Sequence, residues 1–180
     1  AALAALSISA PARAQLEKFD LFPGVVPGVV AGGTVSDVAV TPDDRFVLVL
    51  DSPSLAMRIV DTWTFGLVDN AAVVFNDTPL SIDVAPAGSH AYIGLASGQI
   101  ALVALSELYG LVPGDTQAIS LIINYEYTGY EDDTNPIPID HIAALGPSDG
   151  STGNVYVFAA SESGNTLYYD RFAGGGTATD

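Results

Sequence analysis

The sequence predicts an all-β chain of β-propeller blades, each a sheet of four antiparallel strands. The first observation behind this is a repeat. Residues 38–62, VAVTPDDRFVLVLDSPSLAMRIVDT, align with residues 82–106, IDVAPAGSHAYIGLASGQIALVALS, so that Pro42 and Pro86 stand in register 44 positions apart. A weaker third copy runs from Ile142 to Phe172. A period of this length, made of short strands and turns, is that of propeller blades. The second observation is that FVLVL, IALVAL, SLII and VYVFAA are apolar at every position or nearly so. Such strands are covered on both faces, as in blades stacked face to face. The third is breaker density: 18 Gly and 11 Pro leave little room for long helices.

The elements follow in order. Residues 1–14 read as the tail of an export signal. AALAALSIS is a short run of small and apolar residues, and Ala12 and Ala14 suit the minus-three and minus-one positions of a signal-peptidase site. The run is too short to span a bilayer. Residues 15–34 lead into the blades, with turns at Pro23-Gly24, Pro27-Gly28 and Gly32-Gly33. Blade 1 occupies 35–78, with strands expected over 35–41, 45–50, 56–61 and 71–75. Blade 2 occupies 79–124, with strands over 81–85, 90–95, 100–105 and 118–124. Residues 125–137 are an acidic, tyrosine-rich insertion. Blade 3 covers 138–173 with strands over 141–145, 155–159 and 166–171, and is read as incomplete because Gly174-Gly175-Gly176 opens a Gly-rich tail over 174–180. The segment 102–111 is assigned to a strand in its first half and a loop in its second. Val38, Val40, Leu48, Ile59, Ile82, Val84, Ile93, Val103 and Val157 are expected to be buried.

Several of these residues carry a resemblance. Pro42-Asp43-Asp44, Val47-Leu48-Val49, Ser52-Pro53-Ser54 and Met57-Arg58-Ile59-Val60-Asp61-Thr62 resemble the blade of the YVTN-type β-propeller repeat. That blade runs as a Pro-Asp-Gly turn, a Val-Tyr-Val strand, an Asn-Ser turn and a Val-Ile-Asp-Thr strand. Asp44 stands where that family has Gly, and blade 2 has Ala87-Gly88. The resemblance covers about residues 35–172. It implies a propeller and leaves activity open, since the family includes surface proteins, scaffolds and a few enzymes. Propellers close with four or more blades. Three blades are therefore expected to be a piece of a longer propeller, or to close a ring by self-association through open blade edges.

Composition narrows the function classes. The chain carries 21 acidic residues against 5 Lys and Arg, for a net charge of −16. Such a surface repels nucleic-acid backbones and anionic lipids, and favours cations and basic partners. With no cysteine there are no disulfides, thiolate metal sites or cysteine nucleophiles. No Gly-x-Ser-x-Gly elbow and no phosphate-binding glycine loop occurs.

Propeller topology then nominates site residues. Ligands sit at the rim where the innermost strands begin. Asp37, Asp140 and His141 are placed there, with Asp83 a residue or two further in. Such polar groups line a wet channel, and a ring of them can hold a metal. The insertion NYEYTGYEDDTNPIP leads into the third inner strand and lengthens the repeat to 61 positions between Pro86 and Pro147. It brings Tyr125, Tyr127 and Tyr130 beside Glu131, Asp132 and Asp133. Tyrosines can supply a binding surface, and carboxylates at this density can coordinate Ca²⁺, although EF-hand spacing is absent. Residues 149–154 read as a hairpin turn. Trp63 reads as a plug against the outer blade edge, and His90 falls on the opposite rim from His141. Asn76-Asp77-Thr78 is a formal glycosylation sequon. These readings describe an exported module of the envelope or exterior that binds a protein or small molecule at the channel rim. It needs no cofactor, with Ca²⁺ as an optional ligand. The alternatives are a metal-dependent, lactonase-like propeller hydrolase and a structural envelope or filament component.

Overall fold

The computed structural model describes residues 34–64, 66–68, 71, 73–111, 120–127, 136–146, 154–162, 166–173 and 177–178, with the backbone alone for 127, 166–173 and 177–178. Wherever the repeat has a Pro-centred turn between apolar runs, the chain makes a hairpin. The first sheet holds β1 (Val35–Val40), β2 (Phe46–Asp51) and β3 (Ala56–Asp61), with a split outer edge of β4 (Gly66–Leu67) and β5 (Val73–Val74), both paired to β3. The second is β6 (Pro79–Val84), β7 (His90–Leu95), β8 (Gln99–Ala104) and β9 (Ile123–Tyr127). The third is β10 (His141–Leu145), β11 (Val155–Ser161), β12 (Thr166–Ala173) and β13 (Thr177–Ala178). All three are antiparallel meanders in chain order.

The turns show what the repeat conserves. Asp44 takes φ 60° where blade 2 has Gly88 at φ 75°. The short polar Asp tolerates the left-handed region that Gly occupies freely. Blade 1 crosses from β2 to β3 through a 3-10 turn, Ser52–Ser54, closed by Leu55 at φ 52°. Blade 2 does so through Ala96-Ser97-Gly98, one residue shorter. After β8 the chain turns once as α1 (Ser106–Tyr109), a single helical turn where a loop was expected, which puts Leu108 into the core. β9 runs on through Tyr127, so its last residues come from the stretch read as the insertion, and β13 supplies a short fourth strand to blade 3.

Two cores form between three sheets. In the first, Phe46, Leu48, Leu50, Met57 and Ile59 of blade 1 meet Ile82, Val84, Ala91, Ile93 and Val103 of blade 2. In the second, Tyr92, Ile100 and Leu102 on the other face of blade 2 meet Ala144, Val155, Val157 and Ala159 of blade 3. Blade 2 is thus covered on both sides, which accounts for its continuously apolar strands.

The spacing of the third copy needs correcting by one residue. Val84 pairs with Ala91 and faces blade 1, and Ala144 pairs with Val157 and faces blade 2. The matching residues are 60 positions apart, so Gly146, not Pro147, stands where Pro86 does. A slip of one would exchange the two faces of β10. Seven of the nine residues expected in the core are buried. Val38 and Val40 are not, at 52% and 51% exposure. They pair with Val49 and Val47, on the face of blade 1 turned away from blade 2.

Candidate functional site

The inner strands β1, β6 and β10 lie side by side, and cross-blade hydrogen bonds fix their order. Asp37 Oδ2 accepts the Ile82 N–H at 3.0 Å, while its Oδ1 accepts the Val38 N–H at 2.8 Å. Asp83 repeats the device one blade on: Oδ2 accepts the Ala144 N–H at 2.7 Å and Oδ1 the Val84 N–H at 2.8 Å. Ser36 and Ser52 both donate to the Pro79 carbonyl, at 3.0 and 2.7 Å, and Ser81 donates to the Ile139 carbonyl at 3.0 Å. The partners advance together along both strands, so the inner strands run parallel and begin at a common rim. Asp37 and Asp83 therefore act as straps between blades. One charge-assisted backbone bond on each oxygen engages both oxygens of each carboxylate.

The other residues expected at this rim divide. The Tyr125 hydroxyl accepts the Asn76 N–H at 3.2 Å, tying the outer strand of blade 2 to the chain entering that blade. Asn76 itself donates through its side chain to Gln99 at 3.4 Å, and Asp77 accepts the Ser97 N–H at 2.6 Å. Asp140 accepts the Glu162 N–H at 2.9 Å, and His141 Nε2 meets Glu162 Oε1 at 2.9 Å. The His141 and Glu162 side chains are 66% and 75% exposed. Asp140, His141 and Glu162 thus form one polar group at the start of β10 and just past the end of β11, with His141 and Glu162 exposed and Asp140 half-buried. Tyr127 lies in β9, and its side chain falls outside the described residues, as do Tyr130, Glu131, Asp132 and Asp133. Among the described residues, no three His, Asp or Glu side chains are grouped to hold a metal ion.

The opposite rim holds what sequence reasoning missed. Arg45, 6% exposed, lies between two aromatic rings, 4.7 Å from the Phe46 centroid and 4.6 Å from that of Trp63. Its Nη2 donates to the Leu111 carbonyl at 2.6 Å and to Asp61 Oδ2 at 3.4 Å. Asp61 Oδ1 in turn accepts the Trp63 and Thr64 N–H groups at 2.8 and 3.3 Å. Trp63 is not the edge plug expected of it, because it is 64% exposed. Its backbone is capped and one face of its ring is stacked, but the rest of the indole faces solvent. Tyr109 stands edge-on to Phe46 at 6.3 Å. Burial, with Asp43 beside it, pushes its phenol up to about 12. The available signal was Arg45 at the head of an apolar strand, where a bare hairpin needs no cation. His90 also falls on this rim, as expected, and burial pulls its imidazole below the ordinary value of 6.5.

Comparisons with known proteins complete the picture. No family model matches the chain, and no curated protein does. Solved structures do. The β-propeller domain of Cps50 (Swd1) from Myceliophteria thermophila superposes with a TM-score of 0.59 at 14% identity, over 87% of this chain and 45% of that one. Kuenenia stuttgartiensis hydrazine synthase gives a TM-score of 0.47 at 16% identity, over 78% of this chain and 34% of that one. The C-terminal WD40 domain of Sif2 gives 0.48 at 12%, over 76% and 32%. The chain spans less than half the length of each of these structures. Among the described residues no helix is long and apolar enough to cross a membrane. Three consecutive antiparallel meanders, strapped through parallel inner strands and superposable on a propeller domain, give this chain the β-propeller fold.

Proposed function

We propose that the chain is part of an exported β-propeller that works by binding, taking up a protein partner at the rim where the inner strands begin. The observation that supports this reading best is the contrast at that rim. Asp37 and Asp83 fasten one blade to the next and Tyr125 ties β9 to the chain entering blade 2, whereas the His141 and Glu162 side chains stand in solvent beside a half-buried Asp140. A protein-interaction role accords with the β-propeller fold. The export reading rests on residues 1–14 and places the protein in the cell envelope or outside the cell. The acidic, tyrosine-rich stretch over 125–137 precedes β10 in the chain and would extend the contact surface, with Ca²⁺ as an optional ligand of Glu131, Asp132 and Asp133.

A photo-crosslinking residue at position 141, in protein expressed in its own host, tests the rim. A discrete crosslinked protein, lost when Glu162 and Asp140 are replaced by Lys, is the expected result. Crosslinking that is absent, or unchanged by those replacements, would overturn the reading. N-terminal sequencing of exported material should start at Gln15. Calcium at millimolar concentration should release heat in calorimetry, and a flat titration with no change in thermal midpoint removes the cation.

A further inference from the structure

The exposed indole on the far rim has a use that the blades themselves do not account for. A surface tryptophan without support loses side-chain entropy on binding. Trp63 has already lost it, held by the Asp61 cap on its backbone and by Arg45 against its ring. Rigid, partly exposed tryptophans of this kind are the anchors on which interfaces concentrate their energy. The charge around it has one sign. Arg45 is buried and paired with Asp61, so its cation is not presented to solvent. Asp43 and Asp44 are exposed in the adjoining turn, and Asp44 is tied to the residue before Trp63 by the Thr62 hydroxyl, which donates to the Asp44 carbonyl at 2.9 Å. Asp43 Oδ1 accepts the Thr41 hydroxyl at 2.6 Å and the Arg45 N–H at 3.2 Å, which sets the turn's carboxylate in place. The chain as a whole, at −16, adds to the same potential.

We propose that Trp63, with Asp43 and Asp44 beside it, is a docking site for a basic peptide segment of a partner protein, on the rim opposite His141. A Lys or Arg side chain laid on the open part of the indole would gain a cation–π contact and the field of both carboxylates. An acidic segment would meet repulsion at the same place. The inference does not depend on the function proposed for the other rim.

Trp63 is the one tryptophan in the chain, so its emission reports on this site alone. The test titrates the intact chain, at 150 mM salt to screen non-specific attraction, with a Lys/Arg-rich decapeptide and with its Glu-substituted counterpart. The basic peptide should shift or quench Trp63 emission saturably, and the acidic one should not. The same peptide, fluorescein-labelled and followed by anisotropy, should bind the D43N/D44N variant and the W63A variant at least fivefold more weakly. The His141→Ala variant should bind it as the parent does. Far-UV circular dichroism shows whether W63A keeps its sheets, and D43N/D44N preserves side-chain shape if W63A does not. Binding unchanged in D43N/D44N, equal binding of the acidic peptide, or no response of Trp63 emission would each overturn the proposal.

Discussion

Gly94 shows how little room a single position in the middle blade leaves. A methyl group there would lie 2.5 Å from the Ile139 side chain, 2.5 Å from the Ser81 hydroxyl and 2.6 Å from the Ile139 carbonyl. Two of those atoms form the cross-blade hydrogen bond between Ser81 and Ile139. Gly94→Ala is expected to cost about 1–3 kcal/mol, as overpacking does, measured by urea unfolding. His90 gives a pH dependence whose sign follows from its environment. Burial lowers its folded pKa below 6.5, so the unfolded chain takes up the proton first as pH falls. Stability is therefore unaffected above pH 6.5 and declines as pH falls from 6.5 toward the folded pKa. The thermal midpoint of the parent should drop between pH 7 and pH 5.5 by more than that of His90→Gln. Equal drops would assign the effect to other groups.

At the scale of elements, blade-to-blade fastening rests on carboxylates as well as on apolar packing. Removing the Asp83 side chain strands the Ala144 N–H between blades 2 and 3. Asp83→Ala should cost about 1–3 kcal/mol, the usual range for a partner lost from a partly buried donor. Hydrogen exchange at the Ala144 amide should accelerate in that variant while the Leu48 amide, in β2, keeps its protection. Uniform loss of protection would mean that the blades unfold as one unit. The fastening was only partly legible beforehand. An Asp at the start of an inner strand reads equally as a channel ligand or as a strap. The choice depends on whether the next blade brings an N–H within 3 Å, which no single repeat can show. The third blade's register was hidden for a related reason. A proline marked the turn in the first two copies and a glycine takes its place in the third, so alignment by proline alone is off by one.

For the whole molecule, the arc of blades has an apolar end. Val38, Val40 and Val74 are exposed on the face of blade 1 that points away from blade 2. In blade 2 the matching positions, Ile82 and Val84, are buried against blade 1. An apolar sheet face of this kind associates with another. The 180-residue chain should show concentration-dependent association in sedimentation velocity. Val38→Lys with Val40→Lys should abolish it and shift stability by no more than about 0.5 kcal/mol, as exposed substitutions do. Association that persists unchanged would put the contact elsewhere. The two rims of the arc differ in character, with an open His141–Glu162 pair on one and a stacked, exposed indole on the other.

The repeat, its turns and the apolar runs were sufficient to determine the all-β class, the meander of each blade and the strands Ala56–Asp61, His90–Leu95 and His141–Leu145 to the residue. These are local properties, set by strand periodicity and by turn residues within a few positions of one another. Which residues are spent on structure and which face a partner was decided only when the blades came together. Asp37 became a strap because Ile82 arrives beside it, and Trp63 became a surface because Arg45, itself held by the Leu111 carbonyl 66 positions further on, stacks on it without covering it. Val38 lies bare where Ile82 lies buried, though both occupy the same place in the repeat. The repeat makes them alike, and only the neighbouring sheet distinguishes them.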